Sequence, residues 1–353
     1  MDAVYAPDPD RDETYFFDDG DCTFLVGGVL FKLHKTILCR DPSSMFRNLF
    51  QDAKGKPSDA IPLFDTVDDM RALCWSLYAF PSEIYQLALS PGDVDVRKHL
   101  RVVDMAQKYL LPQYESLGWK FLQAVPGAIP AYLDRCSEDD LVYSHELGIR
   151  WQSSGAPGAS GAADTAVSAM KSQLLEQVEN KWVQRLARGD EQVTFSRALT
   201  TGETYDRRRL QGQVYLEARK LLFLQRFVFS PSQPLNSRFN LTPKQFLRLL
   251  VGHSMLTNVL AAVRSAVSLK LPRRTSLAGC DSVYHPHCEK AFNALVWGDL
   301  ERDPVVAFRR ARNTGYRCVN QHLDNILPKE ADLAEYFLSS ATGYTISHEN
   351  PPM

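Results

Sequence analysis

From Cys22 to Lys35 the chain reads CTFLVGGVLFKLHK, a run of β-branched, aromatic and aliphatic residues broken once by Gly27-Gly28. Two glycines tolerate the positive φ angles of a tight hairpin loop, so the pattern predicts two antiparallel strands, 22–26 and 29–35. Alternation sends Phe31 and Leu33 to one face and Lys32 and His34 to the other. The period then changes. KTILCRDPSSMFRNLF carries Ile37, Leu38, Met45, Phe46, Leu49 and Phe50 at helical spacing. Asp41-Pro42-Ser43 divides it into two short helices, with Asp41 or Ser43 expected to cap the second.

A short strand, AIPLFD (60–65), comes next. DDMRALCWSLYAF (68–80) opens with two acids at the end of a helix that favours them and sets Met70, Leu73, Cys74, Leu77 and Tyr78 on one stripe. Val96, Leu100, Val103, Ala106 and Leu110 repeat at helical spacing as far as Pro112, and QYESLGWKFLQAV follows as another helix. Beyond it, helices are predicted in PAYLDRCSEDDLVYSHELGIRW, TAVSAMKSQLLEQVENKWVQRLA and VYLEARKLLFLQRFVF. Thr242 and Pro243 open one more, and two others fall at 286–297 and 304–313. SSGAPGASGAAD (153–164) reads as a linker or exposed loop. No fixed-period repeat emerges.

The expected fold class is α+β: an N-terminal domain with a short β-sheet flanked by helices, then a mainly α-helical region. Composition adds detail. Eight acids fall in the first 21 residues, where Pro and Asp leave little apolar surface, so residues 1–14 are expected to be a solvated, disordered tail. The domain proper is placed at 15–125, the helical region at 126–340 and a second tail at 341–353. With 353 residues, 44% of them hydrophobic, and a net charge of −2, nothing in bulk charge argues for nucleic acid or a membrane surface. Seven scattered cysteines suit a reducing compartment. The acidic N-terminus lacks a secretory pattern, and the apolar run 249–263 is too short to span a bilayer, so a cytoplasmic or nuclear protein is expected. Asn240-Leu241-Thr242 matches a glycosylation sequon but reads better as a helix cap.

Residues 15–125 resemble a BTB/POZ domain. The resemblance is carried by Asp21 before the first strand, by FKLHKTILCRDPSSMFRNLF in place of the family's Phe-x-x-His-(Lys/Arg)-x-x-Leu and following Phe-rich helix, and by ALCWSLYAF and VVDMAQKYLLPQYESLG further on. The whole chain is also similar to the large set of fungal, mushroom-type BTB proteins with helical tails. The resemblance implies a protein-interaction module, adaptor or scaffold, and no enzyme or cofactor. Such domains commonly homodimerise, here through Thr36 to Arg40 with Met45, Phe46 and Leu49. Many present substrates to a cullin-based ubiquitin ligase, which would contact the helix 68–80, the turn after it and the helix around 112–122. Cullin-binding members often carry a hydrophobic-x-Glu motif after the middle helix; here the turn reads Phe80-Pro81-Ser82-Glu83, one residue longer.

The remaining candidates are weaker. Asp21 is within reach of His34 or Lys35 across the hairpin, a structural polar pair in preference to a partner contact or a catalytic group. Trp75 and Tyr78 read as packing residues before they read as an aromatic anchor. Cys280, His285, His287, Cys288 and Cys318 have the composition of a zinc site, but the first four crowd one loop, and no metal is assigned. Residues 261–320 hold ten Lys and Arg against five acids. That surplus carries the alternative reading, a transcription or chromatin regulator touching nucleic acid, although a solvated helix face explains it better. No G-x-S-x-G, H-E-x-x-H, phosphate loop or G-x-G-x-x-G is present, and adjacent Ser144-His145-Glu146 cannot form a triad, whose members converge from separate segments.

Overall fold

The computed structural model describes residues 9–52, 60–89, 94–153, 162–224, 239–267, 285–295, 297 and 300–339. It is mixed α+β, with a four-stranded sheet at the N-terminus followed by helices. The chain divides into two compact units, Met1–Val178 and Glu179–Met353, and each is described by itself.

In the first unit β2 (Cys22–Val26) and β3 (Val29–Leu33) form the expected hairpin, with Gly27 and Gly28 at φ +54° and +84°. The alternation holds: Phe24, Val26, Phe31 and Leu33 are fully buried. β4 (Ile61–Leu63) pairs parallel to β2. The fourth strand corrects an expectation. β1 (Asp10–Phe16) lies in the stretch whose composition suggests a solvated tail to Thr14, yet it pairs parallel to β3. Asp12 explains why. Its buried carboxylate accepts from the backbone N–H groups of Thr14 (3.1 Å) and Tyr15 (2.9 Å) and from Arg71 Nε (2.8 Å), so the acid is an anchor and not a solvated charge.

Two short helices, α1 (Lys35–Leu38) and α2 (Met45–Asp52), follow the hairpin. The cap of α2 is Ser44 and neither Asp41 nor Ser43. Ser44 Oγ accepts weakly from Phe46 N (3.3 Å) and donates to Leu38 O (2.7 Å), while Asp41 folds back on Ser43 N (2.9 Å). α3 (Val67–Tyr78) is capped by Thr66, whose hydroxyl accepts from Asp69 N, and it buries Met70, Leu73, Cys74 and Leu77 against the sheet.

α4 (Pro81–Leu89), α5 (Val96–Lys108) and α6 (Pro112–Ala124) come next, then α7 (Ala128–Leu133) and α8 (Glu138–Ser153). α5 ends with Leu111 N bonded to Ala106 O (2.8 Å) and Leu110 in the left-handed region at φ +55°. Arginines of α5 and α8 bind acids across the unit: Arg101 to Asp69, Arg97 to Asp140 (2.9 Å) and Arg150 to Asp104 (2.7 Å). The unit boundary falls within α9 (Ala162–Ala187). Most of the expected linker 153–164 lies outside the described residues.

The second unit is built from helices: the end of α9, then α10 (Phe195–Thr204), α11 (Arg208–Leu224), α12 (Pro243–Val267), α13 (His285–Asn293), α14 (Pro304–Arg312), α15 (Arg317–Ile326) and α16 (Glu330–Leu338). Thr242 caps α12 as expected: its hydroxyl accepts from Gln245 N (3.3 Å), and Gln245 Oε1 accepts from Thr242 N (3.2 Å). Among the described residues α12 is the one helix long and apolar enough to cross a membrane by length and composition. Its stripe of Leu249, Gly252, Leu256 and Leu260 is buried. α16 packs on α11 and α12, with Tyr215 and Phe337 stacked 5.6 Å apart.

Candidate interaction surface

The corner where β3 meets α1 is held by side chains from four segments. His34, the residue before α1, is extended at φ −106°, ψ 120°, and its backbone N–H donates to Tyr78 Oη (3.0 Å). Its Nδ1 lies 3.1 Å from the same hydroxyl, and its Nε2 lies 3.2 Å from Asp19 Oδ1. Burial, above all, pushes the Tyr78 phenol well above its ordinary range, so the hydroxyl keeps its proton. The direction of the bond between Nδ1 and the hydroxyl follows from the imidazole tautomer. The Tyr78 hydroxyl, both ring nitrogens of His34 and the Asp19 carboxylate are thus joined in one line. Phe17 completes the corner, 5.2 Å from the His34 ring and 4.8 Å from the Tyr78 ring.

Asp21 reaches Lys35, not His34. Its Oδ1 accepts from the backbone N–H of Lys35 (2.7 Å), the first residue of α1, where a negative charge is favourable. The Lys35 ammonium sits 5.4 Å from the centre of the Phe50 ring. Asp21, His34, Lys35 and Tyr78 therefore fix the angle between the hairpin and α1.

The apolar candidates separate by burial. Met45 is 42% exposed, whereas Phe46 is fully buried, stacked 4.5 Å from Tyr109 and edge-on to Phe24. Leu49 is half-buried against the core. Trp75 is also half-buried, edge-on to His99 at 5.5 Å, with the Lys98 ammonium 3.7 Å above its ring. Both Trp75 and Tyr78 are thus occupied by the protein itself.

Phe80 is different: it is 71% exposed. The extra residue in Phe80-Pro81-Ser82-Glu83 has a local use, because Glu83 Oε2 accepts from Phe80 N (2.8 Å) while Phe80 O accepts from Glu83 N (2.9 Å). That reciprocal pair, with Pro81 as first helical residue, is how α4 starts. α4 then presents Tyr85 and Leu89, 62% and 59% exposed. Neither was marked by the sequence pattern; the signal available was an acid three residues after Phe80 with Pro between, which predicts a helix start.

Of the five candidate metal ligands, Cys280 and the His285 side chain lie outside the described residues, and Cys288 and Cys318 are buried thiols. Among the described residues no group of three or more His, Cys, Asp or Glu could hold a metal ion. No family model, no curated protein and no solved structure matches this chain.

Proposed function

We propose that this protein is an adaptor or scaffold whose N-terminal unit is a BTB/POZ-like interaction module: it self-associates around Met45 and offers the Phe80 edge to a protein partner, a cullin in the ubiquitin-ligase version of this reading. The observation that carries the proposal is the division of labour within the unit. Its polar candidates are consumed in fixing the corner at His34, while Met45, Phe80, Tyr85 and Leu89 leave large apolar side chains in water. Exposed apolar clusters on a well-packed unit are the usual anchors of an interface.

The alternative, a regulator that grips nucleic acid with the basic stretch 261–320, has less support. Arg309 and Arg312 are already bound to Glu330 and Asp324. The test is a calorimetric titration of the full chain with a cullin N-terminal domain, with the mass in solution recorded by light scattering on the same sample. A dimeric mass and micromolar binding are expected of a cullin adaptor; a dimer without binding leaves the scaffold reading. A monomeric mass with no heat of binding overturns the proposal.

A further inference from the structure

One face of α12, the stripe of Leu249, Gly252, Leu256 and Leu260, is buried in the second unit. The opposite face is apolar and yet meets water. Leu247 and Leu250 are 62% and 41% exposed, and only 28% of the most apolar stretch of the helix is buried. A helix on the surface of a packed unit ordinarily turns charged residues outward. Between Lys244 and Arg264 the sequence has one, Arg248, and it turns aside to bind Glu203 (2.9 Å); α12 contains no acid at all.

The outward residues stand in a self-matching order. At about 100° per residue, Leu247, Leu250, Ser254, Asn258, Ala262 and Ser265 share one face, and all six are exposed. The large side chains occupy its N-terminal half and the small ones its C-terminal half. When a second copy of the helix is laid on it antiparallel, with the two-fold axis level with Leu256, Leu247 meets Ser265, Leu250 meets Ala262 and Ser254 meets Asn258. Each contact then occurs twice, as a two-fold interface requires. Each leucine enters the space left by a small side chain, and the serine hydroxyl meets an amide that both donates and accepts.

A parallel pair loses this match. Leucine on leucine wedges the helices apart at one end, and alanine on alanine leaves a gap at the other. Charge decides in the same direction. Lys244 is exposed in the first turn of α12, where a cation opposes the positive end of its own helix. The antiparallel arrangement carries it to the C-terminal turn of the other copy, whose carbonyls attract it; the parallel one sets Lys244 against Lys244.

We propose that the exposed face of α12 is a self-association surface that pairs antiparallel with α12 of a second copy of this chain, in the register that sets Leu250 on Ala262. The contact is a strip about 27 Å long and one helix wide, at the small end of specific interfaces, which bury about 1,200 Å² or more in total when stable. It therefore adds to a stronger contact and does not hold a dimer by itself in dilute solution.

The test is site-directed cross-linking of the full chain at about 100 µM, where a small interface is populated. Chains carrying Leu250→Cys are mixed with chains carrying Ala262→Cys, oxidised mildly, and the joined peptides identified by mass spectrometry against the wild type, whose own cysteines set the background. The mixture is expected to give a 250–262 disulfide in at least about tenfold the yield of any 250–250 disulfide, because a disulfide needs Cα atoms within about 7 Å and the two copies of residue 250 stand about 18 Å apart along the antiparallel pair. Leu247→Glu in both chains should reduce that yield to background, and its exposed position keeps the fold intact by circular dichroism. Absence of the 250–262 link, a dominant 250–250 link, or a yield indifferent to Leu247→Glu overturns the proposal. Vesicles of mixed neutral and anionic phospholipid, added to the same samples, provide the other arm: loss of the link together with flotation of the chain on the vesicles assigns the face to a lipid surface and overturns it as well. The link reads residues 250 and 262 directly, so this surface and the one around Met45 stand or fall separately.

Discussion

The imidazole of His99 lies flat against Phe121, ring centres 4.8 Å apart, and neither of its nitrogens has a hydrogen-bond partner among the described residues. His99 is fully buried on α5, and Trp75 meets it edge-on from α3. Desolvation, helped by the neighbouring Lys98 ammonium and opposed by Asp95, lowers its pKa from 6.5 to about 4. Protonation is therefore easier in the unfolded chain. The associated stability is complete above pH 6.5, declines as protons bind the unfolded state, and is lost as pH falls through about 4. A shift of that size corresponds to about 3 kcal/mol at most. Urea unfolding at pH 7.5 and pH 4.5 should show wild type losing more stability on acidification than His99→Leu, by about 2–3 kcal/mol. Equal losses would place the imidazole in contact with solvent or a partner.

The same uncompensated nitrogens set a limit on what the pattern along the chain could reveal. The spacing of Val96, Leu100, Val103 and Ala106 gives the inward stripe of α5, but His99 sits on it unannounced, because a histidine scores as polar whether or not it meets water. The hairpin was legible for the opposite reason: Gly27-Gly28 and alternating large residues are local causes with a local result. β1 was not, since its order depends on a strand and an arginine elsewhere in the chain; Arg71 is 59 residues from Asp12. The interaction surface divides in the same way. Asp21 was readable as reaching His34 or Lys35 across the hairpin, and the structure picks the Lys35 backbone, whereas Met45 and Phe46 are neighbours in sequence and only packing assigns one to water and the other to the core.

If β1 is an integral strand, its anchor should be measurable. Asp12→Ala strands the Arg71 guanidinium and two backbone donors. Because Arg71 is half exposed, the cost is expected at the lower end for a broken ion pair, about 1–3 kcal/mol. Asp12→Asn, which keeps one acceptor, should cost less. Urea midpoints at pH 7 rank the two, and an unchanged midpoint for Asp12→Ala would mean that the strand is detached in solution.

In the second unit α16 is seated by two glycines. A Cβ added to Gly252 would stand 2.2 Å from Phe337 Cδ1, and one added to Gly212 would stand 2.2 Å from the Ala334 Cβ. No side chain fits at those distances without moving the helix. Gly252→Ala should destabilise the unit by about 1–3 kcal/mol. The double variant Gly252→Ala with Phe337→Leu is expected to cost less than the sum of the two single changes, since the smaller side chain makes room for the methyl group. Thermal melts of the four proteins close the cycle, and strict additivity would show that these residues do not touch.

Met45 and Phe46 provide the sharpest contrast in the first unit. Both are large, apolar and adjacent, yet Met45 reaches solvent and Phe46 is enclosed by Phe24, Phe50 and Tyr109. A carboxylate at position 46 has no water and no donor, so Phe46→Asp should cost about 4 kcal/mol or more and leave little folded protein. At position 45 the carboxylate stays hydrated, and Met45→Asp should change the melting temperature by only a degree or two. Its effect belongs to association, because a dimer built around Met45 would have to bury an unpaired charge in each half. Light scattering of Met45→Asp is then expected to report a monomer with native circular dichroism. A folded dimer would remove this surface from the interface and make the Phe80, Tyr85 and Leu89 edge the next apolar contact to test, by Phe80→Glu on the same instrument.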